Sequence, residues 1–117
     1  MITTCSAKKD RSAGLLPAIK RYRSKRIAWV HAESQRRRVP LLILSGEFGL
    51  LHPQDPIPWY DHALQMDEVP KLYPRIAAQL RHWQVRQVSF YARPSGTPGW
   101  APYHETLERA CDEIHAA

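Results

Sequence analysis

The residues able to do chemistry in this chain fall into a few short groups. Cys5-Ser6-Ala7-Lys8-Lys9 sets a thiol beside two ammonium groups. Neighbouring cations lower a thiol pKa and make the thiolate a nucleophile. The same lysines and the backbone N–H groups between them can instead hold a phosphate or carboxylate. A buried strand-end cysteine followed by solvated lysines is the third reading. Ser45-Gly46-Glu47-Phe48-Gly49-Leu50 is the second group. Its glycines let the backbone approach a ligand, or simply make a tight turn. It is neither a Walker loop nor a dinucleotide fingerprint, since GK[ST] and GxGxxG are both missing. Trp59-Tyr60-Asp61-His62 pairs an aromatic face with a carboxylate that can accept hydrogen bonds from a base or ribose, or take a proton. Equally, the aromatics can pin the loop while Asp61 caps the next segment. His52 and His62 are irregularly spaced and no CxxC or HExxH is present, so no metal site and no cofactor are expected.

Positioning these groups requires strands whose ends they share. Met1–Cys5 reads as a short first strand and Ser6–Gly14 as a loop. Ser24 caps a helix running to about Arg38, with Ile27, Val30 and Ser34 on one face, and Val39-Pro40 ends it. Leu41–Leu44 is four consecutive apolar residues, the mark of a strand buried on both faces. The connection from Ser45 to Gln65 is read as a long ordered loop without regular structure, packed by Leu50, Leu51, Ile57, Trp59 and Tyr60. Pro74 is expected as the first residue of a helix, within a stripe of Val69, Leu72, Tyr73, Ile76, Leu80 and Trp83. Val85–Ala92 is a third strand and Arg93–Gly99 a turn-rich loop. Pro102 opens a last helix with Tyr103, Leu107, Ala110, Cys111 and Ile114 on its apolar stripe. This order implies one domain over 1–117 with a small, mostly parallel sheet of three to four strands and right-handed crossovers. Cys5 and Ser45 then stand at strand ends, where open α/β sheets bind ligands.

The net charge of +6 points to nucleotides, nucleic acid or another polyanion as partner, or to a basic face that only aids solubility. Lys20-Arg21, Arg23, Lys25-Arg26 and Arg36–Arg38 concentrate that charge between the first two strands. They form either an electrostatic path for nucleic acid or a solvated helix face. Two cysteines far apart in the chain, with no signal peptide and no apolar run of membrane length, make a reducing cytoplasm the expected location. A thin sheet with exposed edges makes a homo-oligomer an open expectation.

CSAKK, the LPA of residues 16–18, RYRSKR of 21–26, ILSGEFGLL and PIPWYD together resemble the pattern of the small YaaA-like proteins. The resemblance covers residues 2–65. It implies a Rossmann-like, three-layer α/β core with a pocket built from Cys5 to Lys9, Ser24 to Arg26, Ser45 to Gly49 and Tyr60-Asp61. A weaker similarity reaches the core domain of archaeosine synthase, where Cys5 and Lys9 match the spacing of one motif and Tyr60-Asp61 a second. That domain's paired Ser and His have no clear counterpart here.

The reading that follows is an enzyme, or subdomain of one, acting on a nucleobase, nucleotide or nucleic acid. Lys9 or Lys8 is its reactive or anion-binding amine, Cys5 shapes or activates the site, and Asp61 is acceptor or general base. Arg26 holds a phosphate, Tyr60 stacks on a base, and Ser6, Ser24, Ser45, Gly46, Phe48 and Gly49 complete the pocket. The alternative is a binding module without chemistry that grips nucleic acid through the basic helix.

Overall fold

The computed structural model describes residues 1–115. Its mixed α/β chain runs β1 (Ile2–Thr4), β2 (Leu16–Pro17), α1 (Ala18–Arg21), α2 (Lys25–Arg37), β3 (Leu42–Ser45), β4 (Gly49–Leu51) and β5 (Pro56–Ile57). A 3-10 turn at Met66–Glu68 then leads into α3 (Val69–His82), β6 (Phe90–Tyr91) and α4 (Ala101–Ile114). The main sheet has the order β4-β3-β1-β6; β1 is parallel to both β3 and β6, and β4 is antiparallel to β3. A separate antiparallel pair joins β2 to β5.

Strand alternation distributes the core. Leu42 and Leu44 of β3 pack in one apolar cluster with Leu72, Ile76 and Leu80 of α3 and Leu107 of α4. Ile43, pointing the other way, packs with Ala18, Tyr22, Ile27 and Ile57. Both faces of β3 are covered, which is why its sequence shows no polar alternation. The α2 cap is as its sequence predicts: Ser24 Oγ accepts from the Ile27 N–H at 3.2 Å, and Ile27, Val30 and Ser34 are buried.

Three expectations are corrected. The segment after Ser45 is not free of regular structure, because Ser45 Oγ accepts from the N–H groups of Glu47 and Phe48, both at 3.1 Å, and folds the chain back. With Gly49 at φ +78°, β4 returns along β3 in a tight hairpin. Helix α3 starts at Val69, with Pro70 in its first turn and Pro74 inside it. A capping box explains the earlier start: the Gln65 N–H donates to Glu68 Oε1 at 2.9 Å, satisfying a donor ahead of the helix. Pro74 lies on the exposed side, where the carbonyl left without its N–H partner is open to water. Of the expected strand 85–92, only Phe90–Tyr91 pairs, since β1 offers a three-residue partner.

Candidate functional site at the switch point of the sheet

The parallel strands lie in the order β3-β1-β6, so the chain leaves β1 toward one side and later reaches the other. Loops following β1 and β6 therefore diverge, and the crevice between them is where such sheets hold ligands. A cleft of about 400 Å³ opens there. The segment Thr4–Lys9 after β1 forms one wall, and Pro98–Trp100 with Tyr103, after β6, forms another. The start of α2 adds Arg23, Ser24 and Arg26, and the loop Asp61–Ala63 closes the rim.

Of the residues predicted from sequence, Cys5, Ser6, Lys8, Lys9, Ser24, Arg26 and Asp61 meet in this cleft. Tyr60 lines an adjoining cleft of about 390 Å³, which shares Lys8, Lys9 and Asp61 with the first. Ser45, Gly46, Phe48 and Gly49 line neither. Ser45 is fully buried beneath its turn. A Cβ on Gly46 would stand 3.0 Å from the Leu64 side chain, and one on Gly49 would stand 2.8 Å from Gln79 Oε1. Both glycines thus make room for a neighbouring side chain, and Gly46 also lines a separate cleft of about 300 Å³ with Leu64, Glu68 and Lys71. Phe48 packs edge-on against Tyr60 at 5.0 Å between ring centroids.

Arg26 organises the cleft. Its guanidinium donates to Thr3 Oγ1, to the Thr4 carbonyl at 3.0 Å and to the Cys5 carbonyl at 3.3 Å. It also lies 5.0 Å from the Trp100 ring centre, a cation–π distance. Burial lowers its pKa from the ordinary value, and the site still holds a cation because guanidinium starts so high. Lys9 Nζ lies 4.5 Å from the Tyr60 ring centre and donates to the Ala7 carbonyl at 3.4 Å. The Lys8 carbonyl accepts from Ser6 Oγ at 2.7 Å and from the Arg23 N–H at 2.9 Å, which fixes the backbone carrying both lysines.

Beneath them runs a chain of hydroxyls: Tyr22 to Tyr60 at 2.5 Å, and Tyr60 to Ser45 Oγ at 2.9 Å. Burial, first of all, raises the phenol pKa of Tyr22, Tyr60 and Tyr103 far above the ordinary value. All three are neutral hydroxyls at physiological pH, so none serves as a phenolate base. Cys5 Sγ donates to the Tyr103 hydroxyl at 3.8 Å. A neutral phenol does not take a thiol proton as a general base would.

His62 stands in the rim with both ring nitrogens occupied, Nδ1 on Glu47 at 2.5 Å and Nε2 on Glu68 at 2.7 Å. The hydrogen bond to Glu47 chiefly raises its pKa. This clamp ties the loop carrying Asp61 to the hairpin turn and to the entry of α3. Among the described residues no group of three or more His, Cys, Asp or Glu side chains is placed to hold a metal ion.

Comparison with protein-family models, curated proteins and solved structures finds no match. What the cleft can hold therefore follows from its own side chains. Lys8, Lys9, Arg23 and Arg26 outnumber Asp61, and Trp100 and Tyr103 supply aromatic walls. That combination suits a planar group carrying negative charge. Sequence reasoning passed over Trp100, and read Tyr103 only as core stripe. The signal was available in outline, since Trp100 follows the end of a parallel strand just as Cys5 does.

In the basic stretch between the first two strands, Lys20, Arg23, Lys25 and Arg36 to Arg38 are exposed, and Arg21 is not. Arg21 is buried, and all five of its N–H donors go to backbone carbonyls. Arg36 and Arg37 both pair with Glu33, at 2.8 and 3.1 Å. No described helix is long and apolar enough to cross a membrane.

Proposed function

We propose that this protein is a nucleobase- or nucleotide-processing enzyme whose substrate sits in the cleft at the ends of β1 and β6. One observation carries the reading: an Arg26–Trp100 pair faces Lys8, Lys9 and Asp61 across a crevice at the switch point of the sheet. In this reading Trp100 receives the base and takes over the stacking role that sequence assigned to Tyr60. Arg26 and Lys8 neutralise phosphate. Lys9 is the reactive or charge-stabilising amine, and Asp61, exposed at the rim, is the hydrogen-bond acceptor or base. Cys5 shapes the floor. The same reading takes the fold as Rossmann-like and three-layered, of the YaaA-like kind. Apolar clusters fed by opposite faces of β3 support it. Free thiols at Cys5 and Cys111 accord with a reducing cytoplasm.

The test is calorimetric titration with AMP, adenosine and inorganic phosphate. AMP is expected to bind more tightly than either of its parts, and Trp100→Ala to weaken it about tenfold. In a turnover screen over nucleotides, Lys9→Ala and Asp61→Asn are expected to bind and not react. Absence of AMP binding at millimolar concentration overturns the proposal. The second reading, nucleic-acid binding through α2, draws on the net charge of +6 and is weakened by the pairing of Arg36 and Arg37 with Glu33. It requires salt-sensitive binding lost on neutralising Arg36 to Arg38.

A further inference from the structure

The second cleft shares Lys8, Lys9 and Asp61 with the first, and its Arg11 and Trp59 are not used by the site described so far. It is built to the same plan. Arg11 lies 5.2 Å from the ring centre of Trp59, as Arg26 lies 5.0 Å from that of Trp100. Trp59 is 42% exposed, which for a large aromatic beside unpaired volume leaves a ring face for another planar group. Lys8, Lys9 and Asp61 belong to both clefts, so the two arginine–tryptophan platforms flank one shared pair of ammonium groups.

The ridge between them is held in place. Lys9 forms an antiparallel bridge with Tyr22, and the Asp10 N–H donates to the Arg21 carbonyl at 2.8 Å. Each cleft alone, at about 400 and 390 Å³, is at the small end for a ligand site and suits one base with its sugar. Base, phosphate, base is the chemical order that aromatic, lysine pair, aromatic would read. Stacking platforms on either side of a cationic ridge are how proteins hold single-stranded nucleic acid without duplex geometry.

We infer that the two clefts are adjacent subsites for a dinucleotide unit, with bases on Trp100 and Trp59 and the joining phosphodiester on Lys8 and Lys9. This rests on the nucleotide reading above and extends its substrate class from a mononucleotide to two linked nucleotides. The unit can be a free dinucleotide or a step within a single strand. A paired duplex does not fit, since its bases are stacked on each other and not free to lie on separate rings.

The experiment compares AMP, the dinucleoside monophosphate ApA, an oligoadenylate of about ten nucleotides and its duplex with oligouridylate, by titration calorimetry. The wild-type protein is expected to bind ApA or the oligomer at least about tenfold more tightly than AMP, and the duplex more weakly than the single strand. Trp59→Ala, at an exposed position, is expected to remove about tenfold or more from ApA or oligomer affinity, and Arg11→Ala to act in the same direction. If only the oligomer gains, the unit is read within a strand; if ApA gains equally, two nucleotides are the whole ligand. AMP binding with no gain for ApA or the oligomer, or with no loss in both Trp59→Ala and Arg11→Ala, overturns the two-subsite inference and leaves the nucleotide reading intact. Failure of AMP to bind at millimolar concentration overturns the nucleotide reading and, with it, the inference that rests on it.

Discussion

Nε and Nη2 of Arg21 both donate to the carbonyl of Ile57, at 3.3 and 3.1 Å, from a side chain with no exposure to water. The same guanidinium reaches the carbonyls of Asp10, Ser12 and Gly14 at 2.7 to 2.9 Å. It thereby fastens the loop after the Lys8-Lys9 ridge to β5. An ammonium has three donors and cannot serve four separated carbonyls. Arg21→Lys and Arg21→Ala are expected to cost about 3 kcal/mol or more, since buried acceptors lose their partners. Thermal unfolding followed by circular dichroism should place both midpoints more than about 10 °C below wild type.

Ser45 is predicted to be structural, although its position in the sequence suggests a ligand contact. Its Oγ accepts from two backbone N–H groups and also bonds the Tyr60 hydroxyl. Ser45→Ala leaves a buried hydroxyl and a turn without that oxygen, at a cost of about 2 to 4 kcal/mol. Tyr22→Phe removes only the far end of the hydroxyl chain and should cost about 1 kcal/mol. Chemical denaturation of the two variants checks the order, and equal losses would refute the account of Ser45 as the hub.

Gly49 and Gly14 form a matched pair for a second stability test. Both have positive φ, +78° and +80°, but a Cβ at Gly14 meets nothing within 4 Å. At Gly49 it would strike Gln79, whose amide binds the Leu50 N–H at 2.8 Å and carbonyl at 3.0 Å. Gly14→Ala should cost about 1 kcal/mol of backbone strain. Gly49→Ala should cost about 1 to 3 kcal/mol more, because the Gln79 clamp must open. Urea midpoints of the two variants give the difference directly.

The His62 clamp makes stability depend on pH. Its pKa is raised above the ordinary 6.5, first by the hydrogen bond to Glu47. A raised histidine stabilises the fold below its unfolded pKa, and that contribution is lost as pH rises through the folded value. Glu68 is shifted the other way, first by the Gln65 backbone hydrogen bond, so its contribution is lost as pH falls through its folded value. The melting difference between wild type and His62→Gln is therefore expected to be larger near about pH 6 than near about pH 8.5. A constant difference across that range would show that protonation of His62 is not coupled to folding.

Much of this arrangement was legible in local pattern. Leu41–Leu44 announced a doubly covered strand, and Ser24 a helix start, because burial and capping are written in neighbouring residues. Cys5, Lys8, Lys9, Arg26 and Asp61 do meet in one cleft, since strand ends of a parallel sheet gather on one side. The Gly46–Gly49 loop could be read either way, because a glycine that admits a ligand and one that admits Gln79 or Leu64 look alike in sequence. Arg21 misled for a related reason: its carbonyl partners are backbone groups at positions 10 to 14 and 57, which no residue type reveals. Pro74 suits the first residue of a helix by type alone, but the capping box lies upstream at Gln65 and Glu68.

The cleft has its two walls from opposite ends of the chain, Cys5 to Lys9 on one side and Pro98 to Tyr103 on the other. Closure of the sheet through the β1–β6 pairing, Ile2 to Phe90 and Thr3 to Tyr91, is what brings them together. No shorter piece containing only the first wall can present the site, however well it folds. A molecule seated between the Cys5–Lys9 wall and Trp100 is then a brace between distant parts of the chain. Its binding free energy is spent on the native state as a whole, and occupancy of the cleft should slow exchange of amide hydrogens in β1 and β6 together.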